Sequence, residues 1–122
     1  MNENGSVSLS VKVNFNAQSE SARLAGAVHR AQMKLDSQVL ADSNYYCPLY
    51  TGTLQKSAII NTVLGSGEIV WRTPYAREQY YGLNFDHSKS NNLNACAMWF
   101  EAAKARKEKD WIRLVESEIE RG

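Results

Sequence analysis

Apolar and polar side chains alternate without a break from Val7 to Phe15: Val7, Leu9, Val11, Val13 and Phe15 against Ser8, Ser10, Lys12 and Asn14. A period of two places all five apolar residues on one face, which predicts a half-buried β-strand with its other face toward water or a neighbouring subunit. The period then changes. Past the polar residues 16–21, Leu24, Val28, Leu35 and Val39 recur at spacings of four, seven and four, with Ala25, Ala31 and Gln32 on the same side. That stripe predicts an amphipathic helix over residues 19–41, long enough to lie across a sheet.

Residues 45–60, YYCPLYTGTLQKSAII, must turn sharply and then begin something regular. Pro48 fixes its own φ and pushes Cys47 toward an extended conformation, so the preceding helix ends here. Gly52 permits a backbone geometry that other residues resist, and Thr51 or Thr53 can offer a hydroxyl to the free amides of a helical turn beginning near Leu54. Residues 54–60 fit either a helical turn or a strand. Residues 61–73 read as a hairpin: residues 60–64 descend, Gly65-Ser66-Gly67 turns, and residues 68–72 return, with Ile69 and Trp71 sharing the core face. Pro74 is placed as the first residue of a short helix that stops at Gly82. Residues 83–93, with Phe85 and His87 among them, are polar and aperiodic, a long connection of the kind that meets partners. From Ala95 the chain is helical again, with Trp111, Leu114, Val115 and Ile119 continuing an apolar stripe. Between Glu101 and Arg121 six basic and six acidic residues balance, the basic ones early and the acidic ones late. That order opposes a helix dipole and predicts two helical pieces, or an exposed terminal segment that meets a partner.

Composition narrows the class more than the chemistry. At 122 residues, 43% of them hydrophobic and 22% charged, the chain is expected to form a single domain spanning residues 1–122 around one core. The predicted fold is α+β: a small antiparallel sheet, made of the first strand and the hairpin, packed against the long N-terminal helix and the C-terminal helix. A formal charge of +1 disfavours a protein that grips duplex nucleic acid mainly by neutralising phosphates. No apolar run is long enough to span a bilayer, so no membrane contact is expected. The opening residues carry neither the basic start nor the apolar centre of a secretory signal, so assembly in a reducing cytosol with Cys47 and Cys96 as free thiols is expected.

No constellation of reactive residues stands out. His29, Cys47, His87 and Cys96 lack the short paired spacings of a zinc site, so no metal and no cofactor is expected. Asp86-His87-Ser88 contains the residue types of a hydrolase triad, but successive loop residues rarely converge on one reacting atom. Cys47 could act as a nucleophile only with a lowered pKa; a buried, inert thiol is the favoured reading. Gly65-Ser66-Gly67 lacks the lysine and hydroxyl of a phosphate loop. The basic run containing Lys104, Arg106 and Lys107 is interrupted by Glu108 and Asp110 and reads as a solvated helix face, with nucleic-acid contact as the alternative. No catalytic residue is assigned.

The tyrosines are distributed unevenly. Tyr45, Tyr46 and Tyr50 cluster at one corner and Tyr75, Tyr80 and Tyr81 at the other, more than a small core readily uses, which places some of them between subunits.

Three segments, CPLYTGTLQKS, GEIVWRTPYAREQYYG and NACAMWFEAAKAR, resemble the minor capsid proteins of tailed bacteriophages of Gram-positive bacteria, within the wider group of head–tail joining, neck and tail-completion proteins. The resemblance runs from about Gln32 to Arg113. Its corner motif falls on Pro48, Thr51, Gly52, Leu54 and Ser57; its second on Pro74-Tyr75-Ala76 and Tyr81-Gly82; its third on Trp99-Phe100. Tyr50 stands where the family often has an acidic residue, so Thr51 must serve as the cap. The resemblance implies a virion component without enzymatic activity, assembled in the host bacterial cytoplasm. It would form a homo-oligomeric ring between portal and tail, touching neighbouring neck, connector or tail proteins and, in passing, DNA in the channel. Val7, Leu9 and Val11 on the first strand, the tyrosines, Phe85, His87 and the basic side chains Lys104, Arg106 and Lys107 are the expected interface residues. The alternative function is a small nucleic-acid-binding or DNA-packaging accessory protein.

Overall fold

The structure, a computed structural model, describes residues 7–15, 22–48, 52–82 and 95–121. The elements are β1 (Val7–Lys12), α1 (Ala22–Tyr45), α2 (Thr53–Asn61), β2 (Glu68–Thr73), α3 (Ala76–Tyr81) and α4 (Trp99–Arg121). The fold class is the α+β arrangement expected, with α1 packed along α4 and a two-stranded antiparallel sheet beside them.

The alternating strand forms as its pattern demands. Leu9 is buried and Val7, Val11, Val13 and Phe15 are half-buried, while Ser8, Ser10, Lys12 and Asn14 are exposed. The sheet it joins lacks the expected hairpin. Residues 60–64 do not pair with residues 68–72; β2 pairs with β1, in a register running from Val7 opposite Thr73 to Lys12 opposite Glu68. The preceding residues form α2 instead, and the reason lies in spacing. Leu54, Ser57 and Ala58 fall on one helical face, and all three are buried. This helix also satisfies backbone on β2. The Ser57 hydroxyl accepts from the Arg72 amide at 3.0 Å and the Thr62 hydroxyl from the Val70 amide at 3.0 Å, so two amides that an outer strand would have taken are occupied by side chains.

The Gly65-Ser66-Gly67 reversal exists, but it joins α2 to β2, with Gly65 at φ 99° and Gly67 at φ 77°. Asp36 of α1 holds it. One carboxylate oxygen of this fully buried side chain accepts from the Gly65 amide at 2.8 Å and the Gly67 amide at 2.9 Å; the other accepts from Gln32 at 2.8 Å. The Gln32 carboxamide in turn reaches the Phe15 amide at 3.4 Å and the Val13 carbonyl at 3.5 Å. The Val13 amide donates to the Gly67 carbonyl at 2.7 Å, so the turn and the end of β1 are clamped to α1 together. A Cβ at position 67 would lie 2.6 Å from the Asn14 Cβ and 3.1 Å from its Cα. With positive φ added to that clash, Gly67→Ala should cost about 2–4 kcal/mol, readable as a lower midpoint in urea; an unchanged midpoint would show that the turn is not held as described.

α1 runs to Tyr45, past the expected end at Ala41. Asp42, Ser43 and Asn44 are poor helix formers, but two of them have distant partners. Asp42 accepts the Trp111 indole N–H at 2.7 Å and Asn44 accepts that of Trp71 at 2.9 Å. The helix then tightens, with the Tyr46 amide on the Ser43 carbonyl and the Cys47 amide on that of Asn44, before Pro48 ends it. Small residues are among the most deeply buried on the two long helices: Ala27 and Ala31 of α1 and Ala103 of α4 have no exposed surface.

α4 is one continuous helix, not the two pieces expected from its charge order. A charge at the wrong end of a dipole costs about 0.3–1 kcal/mol, which burial of Trp99, Ala103 and Trp111 easily exceeds. Glu118 is not a stray acid at the C-terminal end. Lys34 of α1 meets it at 2.7 Å and Arg121 at 3.4 Å, and the Lys34 hydrogen bond holds the Glu118 carboxyl below its usual range. Pro74 lies just before α3, whose first residue is Ala76; the helix closes at Gly82 in the left-handed conformation, as expected.

Candidate functional site

The two motif corners meet in space. Reciprocal carboxamides fix the first: the Asn44 side chain donates to the Gln55 carbonyl at 3.2 Å, and the Gln55 side chain donates to the carbonyls of Asn44 and Cys47, each at 3.0 Å. Gly52, at φ 84°, is the N-cap residue of α2, and its carbonyl accepts from the Lys56 amide at 2.9 Å. The expected caps are therefore replaced: Thr53 is already inside the helix, and Thr51 lies outside the described residues with Tyr50. Ser57, the last residue of the first motif, donates its hydroxyl proton to the Leu54 carbonyl at 2.6 Å while accepting from Arg72.

Pro48 and Leu54 of this corner face Pro74 and Tyr75 of the second across a cleft of about 170 Å³ that also takes in Thr53, Thr73 and Gln79. Its described lining includes no carboxylate, amine, imidazole or thiol, so this cleft brings no acid–base pair together. Edge-to-face aromatics join β2, α3 and α4. Trp71 meets Trp99 edge-on at 5.7 Å between ring centroids, Trp99 meets Tyr80 at 4.7 Å, and the Tyr80 hydroxyl donates to Glu101. Met98, just before α4, donates its amide to the Tyr80 carbonyl at 2.6 Å and sits at φ 53°, the one non-glycine residue with positive φ among the described residues.

The expected interface residues divide sharply. Leu9 and Tyr80 belong to the core of the chain itself and offer almost no surface. Their sequence signals, an apolar face and an aromatic cluster, are equally those of core residues. Val7, Val11 and Tyr46 are half-buried, and Tyr45, Tyr75 and Tyr81 are exposed. Phe85 and His87 lie outside the described residues, as does the connection 83–93. Arg106 sits over the Tyr46 ring at 5.2 Å, beside a depression shared with Tyr45 and Lys107, whereas Lys104 faces a groove near β1 and pairs with Glu108 at 3.8 Å. Lys104 and Arg106 also share a shallow depression along α4 with Lys109, where Glu101 and Glu108 stand among them.

Sequence reasoning missed Asp36, Gln32 as its partner, and the exposed apolar residues of α2. For Asp36 a signal existed: an acidic residue directly after Leu35 in the apolar stripe.

Burial pushes the Cys47 thiol well up from its usual range, with Cys96 nearby adding to the shift; Cys96 is raised by burial too, against the opposing pull of Arg106. Cys47 is buried and Cys96 half-buried, and the net shift of both thiols is upward, away from the thiolate that a nucleophilic cysteine needs. Among the described residues no group of three or more His, Cys, Asp or Glu side chains is placed to hold a metal ion, and no helix is long and apolar enough to cross a membrane.

Comparison with curated proteins and with solved structures returns no match. The profile of the minor capsid protein family matches residues 9–118, spanning every element from β1 to α4. With corners built from hydrogen-bonded scaffold and a match over most of its length, this chain belongs to the minor capsid protein family, structural components of the virus particle.

Proposed function

We propose that the chain acts at the head–tail junction of a tailed phage, as one subunit of a homo-oligomeric ring between portal and tail. The observation that carries this reading is the pairing of a rigid scaffold with exposed aromatic corners. Tyr45, Tyr75 and Tyr81 stand in solvent on elements fixed by the Asn44–Gln55 and Trp71–Trp99–Tyr80 contacts, while the cleft between those corners holds no reacting pair. Tyrosine offers apolar area and a polar tip at low entropic cost, which suits wet interfaces between subunits.

Deletion of the chain from its phage tests the reading. DNA-filled heads and separate, unjoined tails are the expected products in electron micrographs; intact infectious particles would refute it. The DNA-handling alternative predicts salt-dependent retention of the purified chain on DNA cellulose. With Glu101 and Glu108 interleaved among the basic side chains of α4 and a formal charge of only +1, the expected result is no retention at physiological salt.

A further inference from the structure

One side of the molecule is apolar without any internal reason. Ile59 is 64% exposed, Ile60 79%, Val63 71%, Leu64 43% and Met33 38%. They are continuous: the first four lie at the end of α2 and in the turn after it, and the Met33 Cγ is 3.1 Å from where a Gly65 Cβ would stand. No charged residue occurs between Lys56 and Glu68. The internal work of this segment is done by Leu54, Ser57, Ala58 and Thr62, so Ile59 and Ile60 contribute nothing to the chain's own packing that a polar residue would not. Four large apolar residues exposed within one short segment, with Met33 beside it, form the kind of surface that marks a protein–protein contact.

The same chain carries a receptacle. A groove of about 280 Å³ opens between the end of β1, α1 and α4, lined by Phe15, Val39, Phe100, Trp111 and Ile112 among others, with the Phe100 and Trp111 rings stacked at 6.0 Å. A cavity of about 150 Å³ takes one benzene ring, so this groove has room for two aliphatic side chains. Charge matches as well. Lys12, Lys104 and Glu108 line the groove, and since Lys104 pairs with Glu108 at 3.8 Å the surplus positive charge there is that of Lys12, whereas α2 ends without a basic residue in its last turn. Its C-terminal carbonyls therefore present about half a negative charge.

We propose that the ridge formed by Ile59, Ile60, Val63 and Leu64 of one copy docks into the Phe15–Phe100–Trp111–Ile112 groove of the next. The contact joins different surfaces of identical chains, so it repeats head to tail and closes into a ring by rotation. It rests on the reading of the chain as a ring subunit, and it names α2 and the turn after it as the surface that meets the end of the first strand and α4 of the next copy.

Two substitutions at exposed positions separate the alternatives: Ile60→Asp on the ridge and Ile112→Asp on the groove wall, with Ile60→Ser and Ile112→Ser as milder versions and circular dichroism to verify folding. Light scattering after size exclusion, over a rising concentration series of the full chain, should show oligomers for the parent. Each aspartate variant alone should associate more than about 30-fold more weakly, the weight of a hot-spot residue. An equimolar mixture of the two should yield a heterodimer and nothing larger, because one intact ridge meets one intact groove. Ile112→Asp assembling like the parent would mean ridge-to-ridge pairing and overturn the proposal, as would Ile60→Asp assembling like the parent or a mixture that recovers no heterodimer. Mass spectrometry of purified particles keeps the two readings apart. A parent chain that stays monomeric in solution yet is present in particles assigns the ridge to a different virion protein and overturns the self-contact alone, whereas a chain absent from particles overturns the functional reading itself.

Discussion

Asp36→Ala should be among the most damaging single substitutions in the chain, lowering stability by about 3–5 kcal/mol. The side chain is fully buried and its two oxygens take three donors, two of them backbone amides of a glycine turn that has few other holds. Removing the carboxylate leaves the Gly67 amide buried without its acceptor and frees Gln32, whose carboxamide is the link to Val13 and Phe15. An orphaned buried donor costs more than a hydrogen bond gains, about 1–3 kcal/mol each. Asp36→Asn distinguishes the polar contribution from the loss of packing. Its one remaining carbonyl oxygen can still accept both glycine amides, but the new amide group faces the Gln32 NH2, which can turn to accept from it only by giving up Val13 and Phe15, so about 1–2 kcal/mol is expected. Urea denaturation of both variants, followed by tryptophan fluorescence, measures the difference. Equal midpoints for the alanine variant and the parent would mean that the turn holds itself. With typical domains stable by about 5–15 kcal/mol, Asp36→Ala should leave a chain that barely folds at assembly temperature.

The same residue explains which parts of this protein the sequence reveals. Periodicity made β1, α1 and α4 legible because each buries a face whose spacing shows in the chain, α3 was marked by Pro74 and Gly82 at its ends, and the Pro48, Gly52 and Gly82 breaks are conformational requirements local to those residues. The pairing of β2 was not legible. Residues 60–64 are β-branched and apolar enough to suggest a strand, and two glycines to suggest a hairpin; the competing interactions are all distant in sequence. The turn is held from α1 by Asp36, and the β2 amides are taken by Ser57 and Thr62, whose hydroxyls read as ordinary polar residues. The extension of α1 to Tyr45 is similar: Asp42 and Asn44 oppose a helix locally, and tryptophans 69 and 27 residues away keep them in one. At the candidate surfaces the failure had another source. An apolar residue on a predicted strand faces a core or a partner, and composition does not say which; Leu9 fell to the core, while Ile60, assigned to a hairpin, and Ile59, in a stretch that fits either a helical turn or a strand, are exposed.

Trp71→Ala carries an expected cost of about 4–5 kcal/mol, near the top of the range for deleting a large aromatic from a core. Trp71 is fully buried on β2, and three elements meet around it. Its indole N–H donates to Asn44 at the end of α1, and its ring packs edge-on against Trp99 at the start of α4, which in turn packs against Tyr80 of α3. Truncation to alanine opens a cavity at that junction and removes the donor from an Asn44 side chain whose amide also braces the Gln55 corner. Trp71→Phe keeps a ring for Trp99 but loses the indole N–H, so it should cost about 1–2 kcal/mol, mostly the hydrogen bond and some volume. The corner supplies a control: Tyr75→Ala, on an exposed side chain of the same region, should shift stability by less than about 0.5 kcal/mol. If the ordering were reversed, with Tyr75→Ala costing more than Trp71→Phe in the isolated chain, the aromatic stack would not be what positions the two corners. If Tyr75→Ala left stability alone but reduced incorporation into particles, the stack would be the support and Tyr75 the surface it presents.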